Sequence, residues 1–151
     1  MNIVLYQPDI PQNTGGFLRL CACMGAALHI IEPCGFVLDD KKLARVAMDY
    51  GSQVQITRHT GWQAFTMFIS KIADARLILL STRADKIYTD VAYRGDDFLL
   101  FGRESAGVPP EVHEAADLRV TIPMRTGARS LNVVNAASMV VGEARRQQGW
   151  K

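Results

Sequence analysis

Short apolar runs recur along the chain, separated by segments rich in Gly, Pro, Asn and Asp. The densest run, RLILLST at residues 76–82, is apolar without alternation. That pattern favours a central parallel strand buried on both faces. Further strands are predicted at residues 3–6, 27–31, 53–57, 97–102 and 118–123.

Between these runs, apolar residues repeat at the spacing of amphipathic helices. Phe17, Leu20, Cys21 and Met24 predict one helix, which ends at Gly25. Four further helices are predicted. One opens at Asp39 and Asp40, with Leu43, Val46, Ala47 and Tyr50 on its apolar face, and a second carries the apolar stripe Trp62, Phe65, Ile69 and Ile72. A third, short helix follows Pro109 and Pro110, and the last spans residues 131–148. Because strands and helices alternate, we predict an α/β fold with a mostly parallel sheet, in one domain over residues 1–151.

Composition narrows the function classes. The chain has 17 Lys and Arg, 15 Asp and Glu, a net charge of +2 and 48% hydrophobic residues. These values exclude a disordered chain and a bulk polycation, but they allow a local basic patch. The three cysteines form no CxxC pair, so we expect buried free thiols in a reducing compartment and no zinc site. No signal peptide or membrane span is predicted, which favours the cytoplasm.

Three polar loops follow predicted strands, at residues 7–16, 102–109 and 122–132. In parallel sheets, ligands bind outside the carboxyl ends of the strands, so these loops predict one site. GxxxxGK[ST] and GxGxxG are absent, and Ser105 is not in a G-x-S-x-G elbow. We expect His29 in the core and His59 and His113 at the surface. Arginines and backbone amides remain, a set that suits binding of phosphate or a nucleoside.

The same three loops carry a resemblance to a known family. The runs IVLYQPDIPQNTGGFLRLC, FGRESAGVP and IPMRTGARSLNVVNAASMVVGEA resemble the SPOUT superfamily of RNA methyltransferases. They are most similar to its small tRNA 2′-O-methyltransferases, which modify the wobble nucleotide. The resemblance implies a Rossmann-like fold with a C-terminal trefoil knot, S-adenosylmethionine as cofactor, S-adenosylhomocysteine as product, and tRNA as partner.

The resemblance also implies roles for individual residues. Arg19 is the expected catalytic residue, in the first motif with Asn13 and Gly15. Gly102, Glu104 and Gly107 match the second motif, and Ser130, Leu131, Asn132 and Asn135 match the third. The expected cofactor contacts are Leu80, Gly102, Ile122, Ser130 and Leu131. The expected RNA contacts are Asn13, Arg103, Arg125 and Arg129, together with Arg19, and Arg83 and Lys86 follow the central strand on the same side. Lys41, Lys42 and Arg45 are expected on a solvated helix face instead of at the RNA.

Physical reasons accompany these roles. Arginine is a poor base, so Arg19 is expected to hold a phosphate and stabilise the developing alkoxide; the alternative is a phosphate anchor outside the chemical step. Gly102 and Gly107 would let the backbone approach a ligand, and Leu80 and Ile122 would flank an adenine. Ser130 would instead serve as the N-cap of the last helix if only its main chain contacts the cofactor.

Three functions stay open at this point: methylation of the tRNA wobble ribose, methylation of ribosomal RNA, and RNA binding without catalysis. A homodimer is expected, because the last helix is apolar on more than one side, at Leu131, Val133, Val134, Ala137, Val140 and Val141. The family pattern differs at Gly142, where a bulky aromatic residue is common, and at Gly51 and Ser52. These differences concern the dimer contact and RNA selectivity.

Overall fold

Parallel strands form one sheet in the part of the chain that the computed structural model describes, residues 1–39 and 54–149. The strands are β1 (Asn2–Tyr6), β2 (Ala27–Ile31), β3 (Ile56–His59), β4 (Leu77–Leu80), β5 (Lys86–Ile87), β6 (Phe98–Phe101) and β7 (Leu118–Thr121). Their order is β3-β2-β1-β6-β4-β7-β5, and each neighbouring pair is parallel. The predicted α/β fold is therefore confirmed.

Helices cover both faces of the sheet, which explains the continuous apolar runs. The helices are α1 (Pro11–Met24), α2 (Trp62–Ile69), α3 (Pro110–Ala115) and α4 (Val133–Gln148). In β6, Leu99 and Phe101 belong to the core shared with α1 and α4. Phe98 and Leu100, on the opposite face, belong to the core shared with α2 and α3.

Helices α1 and α4 pack closely against each other. A Cβ atom on Gly16 would lie 3.1 Å from both Cγ atoms of Val134, so the glycine sets this close approach. At the other end of α1, Gly25 adopts the left-handed conformation that ends the helix. The Arg145 guanidinium of α4 donates to the carbonyls of Met24 and Gly25, which satisfies the end of α1.

The first polar loop is shorter than predicted. Helix α1 begins at Pro11, not at Phe17, so Asn13, Gly15 and Gly16 lie inside the helix. Proline suits the first helical position because its φ is already helical and its missing N–H is not needed there. Gly15 and Gly16 weaken the helix locally, but its contacts with α4 still favour the helical conformation.

Other element boundaries also differ from the predictions. Strand β3 begins at Ile56 rather than at residue 53, and α2 ends before Ile72. Helix α4 begins at Val133, after Asn132, and the polar stretch after β4 contains β5 and a 3₁₀ turn at Tyr88–Asp90 that were not predicted. The predicted helix that opens at Asp39 and Asp40 lies outside the described residues from residue 40 onward, as do Lys41, Lys42, Arg45, Gly51 and Ser52.

Two predictions about burial were wrong. His59 is only 5% exposed, because β3 pairs with β2 and α2 covers its ring. The three cysteines, all within the described residues, are free, but Cys21 is buried, Cys34 is half-buried and Cys23 is exposed. Neighbouring strands and helices, rather than local sequence, set these exposures.

His59 pairs with His29 inside an aromatic cluster. His29 Nδ1 lies 3.0 Å from His59 Nε2, and the rings of Phe65, Phe68 and Phe98 surround the pair. Burial, and then the neighbouring charge of His59, lowers the pKa of His29 from 6.5 to about 4. Burial also lowers the pKa of His59. The pair is therefore neutral in the folded protein near pH 7.

We predict that this pair destabilises the fold in acid. Unfolded histidine binds a proton below about pH 6.5, whereas folded His29 does so only near pH 4, so the free energy of unfolding falls as the pH drops through that interval. Unfolding by urea from pH 7 to pH 4 measures it. The variant His29→Leu/His59→Phe is the control, because the same titration should flatten in it. Equal pH dependence of the two proteins would contradict the prediction.

Candidate active site

A cavity of about 600 Å³ lies at the carboxyl ends of β6, β4 and β7, beside the start of α1. This edge of the sheet is where ligands bind in parallel α/β folds, and the volume suits a small-molecule ligand. All three polar loops contribute to its wall, as predicted. The predicted site residues that line it are Asn13, Leu80, Gly102, Arg103, Ile122, Ser130 and Leu131.

Three predicted site residues lie outside the cavity wall. Arg19 is exposed on α1, and Arg125 and Arg129 are exposed in the third loop. Arg83, which follows β4, does line the cavity. The structure thus brings the expected cofactor residues together and leaves most of the expected RNA arginines at the surface around them.

The cavity wall combines apolar and polar groups. Leu79 is buried in β4, and Leu80 and Ile122 stand where β4 and β7 end. Ser81, Thr82 and Glu104 add polar groups to the wall. Such a lining suits a ligand that has both an apolar group and hydrogen-bonding groups.

The second loop closes on itself through its two glycines. Arg103 N donates to Gly107 O at 2.9 Å, and Gly107 N donates to Arg103 O at 2.8 Å. A Cβ atom on Gly102 would lie 2.7 Å from the Gly107 carbonyl carbon, and Gly107 has a φ of +66°. The tight approach at Gly102 is to Gly107, and both glycines line the cavity, so their contact with a ligand stays a prediction.

Asp9 and Glu104 join the first loop to the second. Asp9 N donates to Glu104 Oε2, and Glu104 N donates to Asp9 Oδ1, both at 3.2 Å. Ser105 Oγ donates to Asp9 Oδ2. The role of Asp9 was not predicted from the sequence, because its partners lie about 95 positions away along the chain.

Asn13 and Asn132 extend this contact to the third loop. Asn13 Nδ2 donates to Glu104 Oε1 at 2.9 Å, and Asn132 Nδ2 donates to Asn13 Oδ1 at 3.1 Å. Asn132 Oδ1 accepts from the backbone N–H groups of Val134 and Asn135, so Asn132, not Ser130, is the N-cap of α4. Asn13, predicted to contact RNA, thus has an internal hydrogen-bonding role.

The two carboxyl groups differ in acidity. Hydrogen bonding to Glu104, and then to Ser105 and backbone amides, lowers the pKa of Asp9 to about 2. Burial, and then the same hydrogen bond to Asp9, raises the pKa of Glu104. The two carboxyl groups therefore titrate as an interacting pair.

Arg103 lines the cavity together with Arg83. Its Nε is buried and has no hydrogen-bond partner among the described residues. An unsatisfied buried donor is costly, so this nitrogen fits an anionic or hydrogen-bond-accepting ligand atom. Metal chemistry has no comparable ligand set: within residues 1–39 and 54–149, no three His, Cys, Asp or Glu side chains cluster to hold an ion.

Comparison with known proteins identifies the family. The model of the SpoU rRNA Methylase family matches residues 1–142. A relative from Beijerinckia indica subsp. indica, named tRNA (cytidine(34)-2′-O)-methyltransferase, is 55% identical over 97% of this chain and 91% of its own length. A protein of the same name from Escherichia coli K12 is 44% identical over 99% and 95%.

Solved structures agree with this match. One, described as structural insights into the 2-OH methylation of C/U34 on tRNA, has a TM-score of 0.88 and 39% identity, covering 97% of this chain and 95% of its own. The SpoU methyltransferase AviRb from Streptomyces viridochromogenes, solved with AdoMet, has a TM-score of 0.86 and 25% identity, covering 98% and 60%. The chain therefore belongs to the SpoU rRNA methylase family.

Proposed function

We propose that this protein transfers a methyl group from S-adenosylmethionine to the ribose 2′-hydroxyl of the wobble nucleotide in tRNA, a cytidine or a modified uridine. The main support for this proposal is that the three motif loops meet at one cavity at the carboxyl edge of the sheet. The names of the relatives at 55% and 44% identity support this substrate. Use of S-adenosylmethionine is a property of the family.

The cavity fits this cofactor. Its volume of about 600 Å³ is in the range of small-molecule sites. Leu80 and Ile122 offer apolar surface for the adenine, and Ser130 and Leu131 offer main-chain groups beside it. The buried Arg103 Nε, which has no partner among the described residues, offers a donor to an acceptor atom of the cofactor or the RNA.

Methyl transfer to a ribose hydroxyl demands alignment and charge stabilisation. When bound, the cofactor supplies the methyl group from its sulfonium and leaves as S-adenosylhomocysteine. The protein holds acceptor and donor in line; as the O–CH₃ bond forms and the S–CH₃ bond breaks, the hydroxyl proton passes to solvent water. Arg19 is proposed to hold the adjacent phosphate and stabilise the negative charge that develops on the oxygen.

Arginines around the cavity are proposed to bind the tRNA backbone. Arg125 and Arg129 are exposed in the third loop, and Arg103 and Arg83 line the cavity. Guanidinium groups suit phosphate because they donate in a planar fork. Asn13 would contact RNA only with the donor or acceptor capacity that its bonds to Glu104 and Asn132 leave over.

We also propose a homodimer, although fewer apolar residues of α4 are exposed than the sequence suggested. Ala137, Val140 and Val141 of α4 are buried within the chain itself. Met139 and Leu131 remain exposed, at 41% and 43%. A Cβ atom on Gly142 would meet nothing within 4 Å, so this position also faces outward. Exposed apolar groups on and just before one helix are consistent with a two-fold contact.

Three further features belong to the proposal. The C-terminal trefoil knot, the single methyltransferase domain over residues 1–151 and a cytoplasmic location are carried by the family resemblance. No helix within residues 1–39 and 54–149 is long and apolar enough to cross a membrane. Methylation of ribosomal RNA is the second candidate, because the family whose model matches is described as rRNA methylases.

Mapping ribose methylation in cellular RNA tests the function directly. We expect a strain without this protein to lose 2′-O-methylation at a wobble nucleotide, and the wild-type gene to restore it. Loss of a ribosomal methyl group instead would favour the second candidate. An unchanged map would contradict both candidates. Binding of S-adenosylmethionine, measured by calorimetry, would then distinguish an inactive methyltransferase from a protein that only binds RNA.

We expect Arg19→Ala to lower kcat by about 10²–10³-fold, as removal of one charge-stabilising donor does elsewhere. Affinities for S-adenosylmethionine and tRNA should change far less. Single-turnover methylation and direct binding assays measure these quantities, with Arg146→Ala, on the exposed end of α4, as the matched control. Full-rate methylation by Arg19→Ala with normal binding would remove Arg19 from the chemical step.

Binding to tRNA should weaken steeply with salt. An interface with about four to six neutralised phosphates gives a log–log slope of about −3 to −5. Replacing Arg103, Arg125 and Arg129 together by Gln should flatten the slope by about 0.7–0.9 for each phosphate that is no longer neutralised. Filter binding between low and moderate salt measures it, and Arg146→Gln should leave the slope unchanged. A salt-independent affinity would contradict the proposed basic rim.

A further inference from the structure

The pair Asp9–Glu104 has no part in the transfer step described above, yet it joins the first motif loop to the second and reaches the third through Asn13. Asp9 Oδ1 and Oδ2 accept from Glu104 N and Ser105 Oγ, so its carboxylate caps the turn that begins the second loop. Asp9 N, in return, donates to the Glu104 side chain. Glu104 is thereby held at its backbone and at its carboxylate by one residue.

Asp9 is itself held from behind. Gly35 N donates to the Pro8 carbonyl at 2.9 Å, and a Cβ atom on Gly35 would lie 2.8 Å from Asp9 Cβ. The loop after β2 therefore packs directly on Asp9, and a side chain at position 35 would push it away. Asp9 is therefore held in place, and its contacts with Glu104 orient that residue.

The groups at the two ends fix the direction of the hydrogen bonds that connect Glu104, Asn13 and Asn132. At one end, the N–H groups of Val134 and Asn135 can only donate, so they require the oxygen of Asn132. At the other end, Glu104 Oε1 accepts from the amide nitrogen of Asn13. The two amides between these ends then have one consistent orientation, in which Asn132 Nδ2 donates to Asn13 Oδ1.

We infer that Asp9 is a positioning residue for methyl transfer: by fixing Glu104 it holds the Asn13 side chain, and through Asn13 the Asn132 side chain, in place at the cavity wall. The inference rests on the proposed function. Asn13, Glu104 and Asn132 all line the cavity, whereas Asp9 lies behind Glu104. The Asp9 side chain therefore acts through its neighbours and not by touching the reactants.

Two variants of Asp9 separate this role from simple packing. Asp9→Ala removes both side-chain acceptors and releases the Glu104 backbone N–H and Ser105 Oγ, while Asp9 N still donates to Glu104 Oε2. The Glu104 side chain should shift with its backbone, so kcat should fall by about 10–100-fold, as small misplacements in a site do. Asp9→Asn keeps an oxygen for Glu104 N and places its amide nitrogen where Oδ2 faces Ser105 Oγ, a hydroxyl that can also accept, so it should stay within about 3-fold of wild type. KM for tRNA and for S-adenosylmethionine should change little in either variant.

Ser105→Ala is the matched control, because it removes one bond to Asp9 and leaves the contact with Glu104. We expect its kcat to stay within about 3-fold of wild type. Adding Asp9→Ala to Glu104→Ala should cause no further decrease, since the two residues act as one unit. Multiplicative decreases in that double variant would overturn the inference, as would wild-type kcat in Asp9→Ala.

A measurement without turnover keeps the inference separate from the proposed function. The side-chain NH₂ resonances of Asn13 and Asn132, recorded by ¹⁵N NMR, report the amide orientations directly. Asp9→Ala should shift both, including that of Asn132, which does not touch Asp9, while Ser105→Ala should shift neither. An unmoved Asn132 resonance in folded Asp9→Ala protein would overturn the inference even if the wild type methylates no tRNA.

Discussion

Parallel pairing of β1 with β6 is the constraint on which the site depends. Asn2 pairs with Phe98 and Leu5 with Phe101, so strands far apart in sequence end side by side. From β1 the chain continues toward β2, whereas from β6 it continues past β4 to β7. Their loops therefore leave the sheet edge in opposite directions and open the crevice in which α/β proteins bind ligands. The contact between Asp9 and Glu104 exists only because these two strand ends are adjacent.

The two edges of the sheet differ in how their polar groups are satisfied. At the amino edge, Arg76 makes a bidentate contact of 2.7 and 2.8 Å with Asp97, which is 1% exposed. Asn2 N donates to the Asp97 carbonyl, so the contact also reaches β1. These groups are satisfied within the protein. At the carboxyl edge, by contrast, Arg103 Nε has no acceptor among the described residues and is a donor that a ligand can use. Exposed arginines at the same edge add further donors.

Close backbone contacts support the carboxyl edge. Gly102 lies against Gly107, and Gly35 against Asp9, at distances that exclude a Cβ atom. Both glycines let one backbone segment approach another closely. Gly102 also lines the cavity, so its lack of a side chain serves the loop and the site together. Asn132 has a comparable double position, because it caps α4 and faces the cavity at once.

Local patterns in the sequence were enough to predict the α/β class, most strands, the end of α1 at Gly25 and the three loops of the site. Hydrophobic spacing and Gly or Pro positions are local signals, and buried parallel strands display them strongly. The start of α1 at Pro11, the burial of His59 and the role of Asn132 needed partners from elsewhere: Val134, His29 and Asn13. Asp9 is the clearest case, since nothing near it in the chain indicates Glu104. Residue types and motif spacing therefore predict which chemistry the chain offers, but the tertiary structure decides which polar groups face a ligand, because hydrogen bonds between distant loops determine which donors and acceptors remain available.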